Sequence, residues 1–451
     1  MGQGNNQPGI AAGRLSAADY VENFSDLHPP LTNHEAIVES DRCYFCHDAP
    51  CMTACPTSID IPLFIRQIQT GNPEGSAKTI FDRNILGGMC ARVCPTETLC
   101  EQVCVRNESE GKPVKIGQLQ RFATDHLIGA GNHPYARAAA TGRCVAVVGA
   151  GPAGLACAHA LARLGHDVTI YDARDKAGGL NEYGIAAYKT IDDFAQREVE
   201  FILSIGGIKI ENGTTLGVDV SLTELRNAHD AVFLGMGLAG VNGLGVDGEA
   251  LTGVEDAVDF IAQLRQANDL STISIGRKIV VIGGGMTAID AAAQSKLLGA
   301  EDVTIAYRRG QAHMNASDFE QELAQVRGVK IKHNVMPVRL IGGDDGNVRS
   351  IELEYTSSAN GRLEGTGETF QMDVDMVFKA IGQTFAGNFP DSPQEAPELE
   401  RGRIKVDADR RTSLDDVWAG GDCVAGGDDL TVAAVEDGKL AAQSIHRALS
   451  A

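Results

Sequence analysis

Aromatic residues are scarce, 5% of 451 residues with a single Trp, which argues against a sugar-binding or base-stacking surface. Positive charge is also short: 39 Lys and Arg face 60 Asp and Glu, a net charge of −21. That balance argues against nucleic acid and anionic membrane as partners. Long apolar runs are missing too. The first 30 residues, through Pro29-Pro30, hold no signal-peptide core, and the stretch Cys144 to Leu164 is broken by glycines, His159 and Arg163. These absences point to a cytoplasmic protein, in which cysteines stay reduced and clustered ones serve as metal ligands.

What is present is an ordinary globular balance, 43% hydrophobic and 22% charged, enriched in glycine at 52 residues. Eight of the eleven cysteines fall between Cys43 and Cys104, in a helix-friendly segment where Ile61 to Gln69 and Ile116 to Ile128 space apolar residues three and four apart. A linker around Gly129 to Gly142 follows. Then Val145-Ala146-Val147-Val148 runs into Gly149, and Lys278-Ile279-Val280-Val281-Ile282 runs into Gly283, two buried strands each feeding a helix. The expected fold class is α/β: a helical head over 1–142, a first Rossmann-like domain over 143–272 completed by 384–451, and a second over 273–383. The discontinuity rests on Ala419 to Asp422 having to reach a cofactor anchored at Gly149.

The cysteines form two strings, Cys43-x2-Cys46-x4-Cys51-x3-Cys55-Pro56 and Cys90-x3-Cys94-Pro95 followed by Cys100-x3-Cys104. Short spacings that end in Cys-Pro are a ferredoxin signature, and paired runs suit two [4Fe–4S] clusters that exchange ligands. Structural zinc uses CxxC pairs as well and stays open as the alternative. Counting thiols alone makes Cys90 the eighth ligand.

The first glycine turn is Gly149-Ala150-Gly151-Pro152-Ala153-Gly154. It is followed by a strand that ends at Asp172, placed for ribose hydroxyls, and by Gly178-Gly179-Leu180. The combination resembles the FAD site of two-domain flavoprotein reductases. The second turn is Gly283-Gly284-Gly285-Met286-Thr287-Ala288, whose next strand ends in Arg308-Arg309 instead of an acid. Guanidinium groups there would welcome a 2′-phosphate and lean the reading toward NADPH, with a solvated basic edge as the plainer alternative. Near the C-terminus, Ala419-Gly420-Gly421-Asp422 and a helix opening at Thr431 are read as flavin-tuning, with helix capping as the plain role for Thr431. Cys423 has no CxxC companion, which excludes a redox disulfide beside the flavin. Electrons that arrive as hydride would leave singly, and a flavin makes that conversion.

These residues together resemble the glutamate synthase small-subunit family and, more closely, the N-terminal half of dihydropyrimidine dehydrogenases. The resemblance runs from about Asp41 to His446 and includes Ala49-Pro50-Cys51, Cys55-Pro56-Thr57, Cys94-Pro95-Thr96, Ile116-Gly117 and Val435-Glu436-Asp437-Gly438-Lys439. It implies one cluster on Cys43, Cys46, Cys51 and Cys104, and another on Cys55, Cys94, Cys100 and the amide of Gln120, with Cys90 left out. It implies FAD contacts at Ala150 to Gly154, Asp172, Gly179, Leu180, Leu216 and Asp422, and nicotinamide contacts at Gly284 to Thr287, Arg308, Arg309 and Ala380-Ile381-Gly382. Three positions depart from the family: Lys189 stands where a flavin-contacting Arg is usual, Met286 replaces a common Asp or Asn, and Asn315 replaces an Arg near the 2′-phosphate. The resemblance further implies a hetero-oligomer, in which an FMN- and cluster-bearing pyrimidine-reducing subunit takes up the electrons. A small subunit of glutamate synthase, or a related reductase, is the alternative.

Overall fold

The computed structural model describes residues 7–358, 362–389 and 395–450. The chain divides into two compact units. The larger comprises His28–Glu182, Asp192–Gly240 and Thr384–Ala451; the smaller comprises Met1–Leu27, Tyr183–Ile191 and Val241–Gln383.

The larger unit begins with the cysteine-rich helices. Helix Asn33–Asp41 opens with a reciprocal cap between Thr32 and Glu35. In helix Ile61–Gln69 the Asp60 carboxylate accepts from the Leu63 N–H and Pro62 occupies the first turn, where no intrahelical donor is needed. That helix buries Ile61, Phe64, Ile65 and Ile68, a stripe at helical spacing. Helices Gly87–Val93 and Ile116–Ala130 complete the frame; the latter buries Ile116, Leu119, Ala123 and Leu127.

A five-stranded parallel sheet follows in the same unit, in the order Val417–Ala419, Ala231–Leu234, Cys144–Val148, Asp167–Asp172, Ile208–Asn212. Val145 to Val148 are all buried, as strands covered on both faces must be. Val417 pairs in register with Val232, so the last strand of the chain lies in the sheet started by the first glycine turn. The C-terminal helix Thr431–Ser450 packs on helix Pro152–Arg163, and a Cβ at Gly438 would collide with the Ala153 carbonyl oxygen. Glycine there permits the close crossing.

The smaller unit repeats the plan. Its parallel sheet runs Val254–Asp256, Met376–Ala380, Lys278–Gly283, Asp302–Tyr307, Lys330–His333. An antiparallel sheet of Val335–Gly342, Val348–Ser357 and Glu364–Asp373 belongs to the same unit.

Two stretches lie outside the segments that the sequence suggested. Residues 241–272 belong to the smaller unit, because Val254–Asp256 pairs with Met376–Ala380 and helix Ala257–Gln266 buries Phe260, Ile261 and Leu264 in that core. The N-terminal residues through Leu27 also join the smaller unit, where Tyr20 and Phe24 enter the same core and Ala11 exchanges backbone hydrogen bonds with Ile275. The cysteine-rich helices and the first sheet share one unit. Among the described residues, no helix is long and apolar enough to cross a membrane.

Candidate functional site

The first glycine turn is a strand–turn–helix joint. The Gly149 N–H donates to the Tyr171 carbonyl at 2.8 Å, and helix Pro152–Arg163 begins after Gly151. A Cβ at Gly154 would meet the Gly149 carbonyl oxygen, so the helix approaches the strand as closely as glycine allows. Ala150 and Ala153 are buried, while Gly149, Gly151 and Pro152 stay half-buried. The Asp172 carboxylate accepts from the Ala150 N–H at 2.6 Å and the Arg174 N–H at 2.8 Å. Burial raises its carboxyl above the ordinary value, opposed by those two N–H groups. The Gly178 N–H donates to the Ala150 carbonyl at 2.8 Å, and a Cβ at Gly179 would press on Gly151. Leu180 opens the short helix Leu180–Tyr183 beside this paired backbone.

Gly421 and Asp422 follow the last strand. The Gly421 N–H donates to Asp437 at 2.9 Å, and Asp437 is paired with Arg410 at 2.5 Å. Asp422 is half-buried and its carboxylate has no hydrogen-bond partner among the described residues. Burial, then the nearby Asp429, pushes it up to about 7. A half-buried acid without a protein partner can take a hydroxyl or amide from a ligand. Thr431 donates to the Asn181 side-chain oxygen at 2.9 Å.

Two further residues of the expected flavin set have protein partners of their own. Leu216 packs in the apolar core with Val148, Leu222 and Leu234. The Lys189 ammonium lies 2.8 Å from both Asp290 and Glu320, in the smaller unit, and the Tyr188 hydroxyl also reaches Asp290 at 3.2 Å. Burial works against that ammonium, yet Asp290, Tyr188 and Glu320 hold it above its ordinary pKa. The carboxylates that claim Lys189 sit 101 and 131 residues along the chain, at positions that carry no motif.

The second turn is built on Gly283 to Gly285, with helix Met286–Leu297 starting after Gly285. The Tyr307 ring fills the space beside Gly284, and a Cβ at Gly283 would meet the Ala380 carbonyl oxygen. Met286 and Thr287 are half-buried at the helix start. Asn242 donates through its side chain to the carbonyls of Ile381 at 3.2 Å and Gly382 at 3.1 Å, which fixes the Ala380-Ile381-Gly382 loop. Arg308, Arg309 and Asn315 are exposed, and neither arginine has an acidic partner among the described residues.

In the cysteine-rich helices, Cys43, Cys46, Cys51 and Cys104 line one small cavity together with Ile61, Ile65 and Val114. Burial raises the Cys43 thiol and, with its cysteine neighbours, pushes Cys51 up to about 12. Four half-buried thiols that converge on one apolar cage suit a cationic iron core, which stabilises thiolate where water does not. The second group gathers Cys55, Cys94 and Cys100, and the Cys94 thiol shares a hydrogen bond with Cys90. That bond, then burial, raises Cys94. Gln120 is buried, and its Nε2 donates to the Gly87 carbonyl at 2.7 Å. Cys90 thus borders the second group, and Gln120 is tied to the opening turn of the helix that leads to Cys94. All eleven cysteines are free thiols, and Cys423 points its sulfur at the carbonyls of Gly420 and Leu234 at 3.3 and 3.5 Å.

Residues 20–131 match the family described as dihydropyrimidine dehydrogenase domain II, 4Fe-4S cluster, and residues 143–438 match pyridine nucleotide-disulphide oxidoreductase. The NAD-dependent dihydropyrimidine dehydrogenase subunit PreT of Salmonella typhimurium is 36% identical over 95% of this chain and 98% of its own. The glutamate synthase [NADPH] small chain of Escherichia coli is 34% identical over 94% of this chain and 93% of its own. In fold, the chain is similar to Mycobacterium tuberculosis FprA in complex with NADPH, at a TM-score of 0.56 and 19% identity over 68% of this chain and 85% of that one. The protein is accordingly an oxidoreductase of 4Fe–4S cluster and pyridine nucleotide type. The chain belongs to the pyridine nucleotide-disulphide oxidoreductase family, in the cluster-bearing group that includes the dihydropyrimidine dehydrogenase subunit PreT and the glutamate synthase small chain.

Proposed function

We propose that the chain is the electron-input subunit of a dihydropyrimidine dehydrogenase. Bound FAD would take two electrons from NAD(P)H and two 4Fe–4S clusters would pass them on singly. The observation that carries this reading is the coexistence of two nucleotide turns with a four-thiol cavity, while Cys423 lacks the partner that a flavin-side disulfide requires. The PreT relative, matched over 98% of its length, supports the same choice.

The chain's own residues would bind and orient. The Ala150 to Gly154 turn and Gly178 to Leu180 would line the FAD pyrophosphate, with Gly151 and Ala153 presenting backbone N–H groups, Asp172 would accept from its ribose, and Asp422 would take the ribityl hydroxyls. Thr431 opens the helix whose N-terminus would favour negative charge on the ring. Gly283 to Thr287 and Ala380 to Gly382 would hold the nicotinamide nucleotide, with the unpaired Arg308 and Arg309 available to a 2′-phosphate. Cys43, Cys46, Cys51 and Cys104 would hold one cluster. Cys55, Cys94, Cys100 and the oxygen of Gln120 would hold the other, since the Gln120 amide nitrogen is already committed to Gly87. No side chain is assigned as a general acid or base, because hydride transfer needs none.

The electrons would leave to a second polypeptide carrying FMN and its own clusters, and the assembly would reduce uracil or thymine to the 5,6-dihydro base. The isolated chain should reduce an artificial dye with NAD(P)H and leave uracil untouched, with uracil loss appearing when the partner is added. Uracil reduction by the isolated chain would refute the split assembly. If a reconstituted pair makes glutamate from glutamine and 2-oxoglutarate, the function is that of the glutamate synthase relative, the second reading that the 34% identity supports.

A further inference from the structure

Helix Phe194–Leu203 carries a carboxylate on its buried face: Glu198 is 1% exposed, between Ala195, Val199 and Ile202. Its Oε1 accepts from the Gly88 N–H at 2.8 Å and the Met89 N–H at 3.0 Å, while Oε2 has no hydrogen-bond partner. Those two N–H groups open helix Gly87–Val93, which has no side-chain cap of its own and leads through Cys90 to Cys94. First-turn N–H groups lack intrahelical acceptors, so a carboxylate 109 and 110 residues away supplies what the local sequence omits. Gly88 makes room for it, since a Cβ there would meet the Glu198 carboxylate and the Phe194 ring. The grip is doubled by Arg92, whose guanidinium stacks 3.4 Å from the Phe194 ring centroid and binds the Gly88 carbonyl and Asp125. One residue earlier, the Gly87 carbonyl accepts from Gln120.

We propose that Glu198 is a positioning residue for the second cluster: by fixing the peptides of Gly88 and Met89 next to the Gly87 carbonyl, it orients the Gln120 amide and sets the place of Cys94. This rests on the reading that Cys55, Cys94, Cys100 and Gln120 hold that cluster. Burial, opposed by the two N–H groups and Arg92, pushes the Glu198 carboxyl up to about 8. An apolar residue would serve packing alone at lower cost. The geometry gives the carboxylate a reason to be there.

The test is anaerobic reduction and EPR of the full chain carrying FAD and both clusters, for Gln120→Ala, Glu198→Ala and Glu198→Gln. Glu198→Ala should alter the same one of the two cluster signals that Gln120→Ala alters. It should change the oxidised-to-reduced ratio of that cluster at fixed potential at least tenfold, 59 mV for one electron, and leave the other signal and the flavin content unchanged. Glu198→Gln keeps an acceptor oxygen for both N–H groups and should restore the wild-type signal shape. Unchanged signals in Glu198→Ala, or joint loss of both clusters and flavin in Glu198→Ala and Glu198→Gln alike, would overturn the proposal. A Gln120→Ala protein with both signals intact would instead refute the ligand assignment, and the proposal would fall with it.

Discussion

The two glycine turns share one plan and differ in tightness and charge. At the first, the third glycine is Gly154, whose missing side chain lets the helix press on Gly149; at the second the equivalent position is Ala288, fully buried with its methyl accommodated. The first turn ends its second strand in Asp172, already holding two backbone N–H groups, while the second ends in two exposed arginines without acidic partners. A closed, acidic-tipped turn suits a nucleotide that stays, and an open, basic-tipped turn suits one that comes and goes.

Substitution at the tight joint should have the largest effect. Gly154→Val forces a branched side chain onto the Gly149 carbonyl, and overpacking of this kind costs about 1–3 kcal/mol or more. Purified protein should then lack FAD and melt at lower temperature. Ala288→Gly at the matching position should cost no more than the ~1 kcal/mol of a helical glycine and leave nucleotide binding intact by titration. Equal losses in the two variants would erase the distinction.

Asp172→Ala comes next. It strands the Ala150 N–H and removes the ribose acceptor, and an orphaned buried donor costs about 1–3 kcal/mol. FAD affinity should fall roughly 5- to 100-fold by equilibrium dialysis, each ~1.4 kcal/mol being a factor of ten. Arg308→Ala with Arg309→Ala should weaken NADPH by up to about tenfold per lost charge-assisted contact, and NADH hardly at all, in stopped-flow hydride transfer. A strong preference for NADH in the unaltered protein would remove the basis for that arginine role.

A further effect is on pH dependence. Asp422 is raised to about 7 in the folded chain from an unfolded value near 3.8. A group raised in this way contributes stability that is complete below its unfolded pKa and is lost as pH rises through the folded one. FAD-free protein should therefore lose stability between about pH 4 and pH 7, and Asp422→Asn should flatten that stretch of the denaturation profile. An unchanged slope in the Asn variant would show that the carboxylate is not desolvated.

Much of this was legible because cofactor sites leave local signatures. A glycine turn between a buried strand and a helix, and short cysteine spacings that end in Cys-Pro, are each complete within a few dozen residues. What escaped the sequence is non-local. The affiliation of residues 241–272 depends on Val254–Asp256 finding an edge offered by Met376–Ala380, more than a hundred residues on. Nothing around Lys189 in the sequence announces Asp290 and Glu320, which come from two later helices to pair with its charge. Glu198 did leave a faint trace, an acid on the apolar face of an otherwise amphipathic helix, but its helix-capping role needs Gly88, which only the tertiary fold delivers. Cys90 neighbours the second thiol group while Gln120 binds the Gly87 carbonyl, and thiol counting and resemblance point to different fourth ligands there.

The central claim is the proposed electron transfer from a nicotinamide nucleotide through flavin to iron and sulfur. Anaerobic mixing of the FAD- and cluster-loaded chain with NADH or NADPH, followed by flavin absorbance and by EPR of freeze-quenched samples, tests it most directly. The account predicts that the flavin bleaches first and that reduced-cluster signals then grow as its absorbance partly recovers. A flavin that stays oxidised under excess nucleotide, or one that is fully reduced while the clusters stay oxidised, would contradict it.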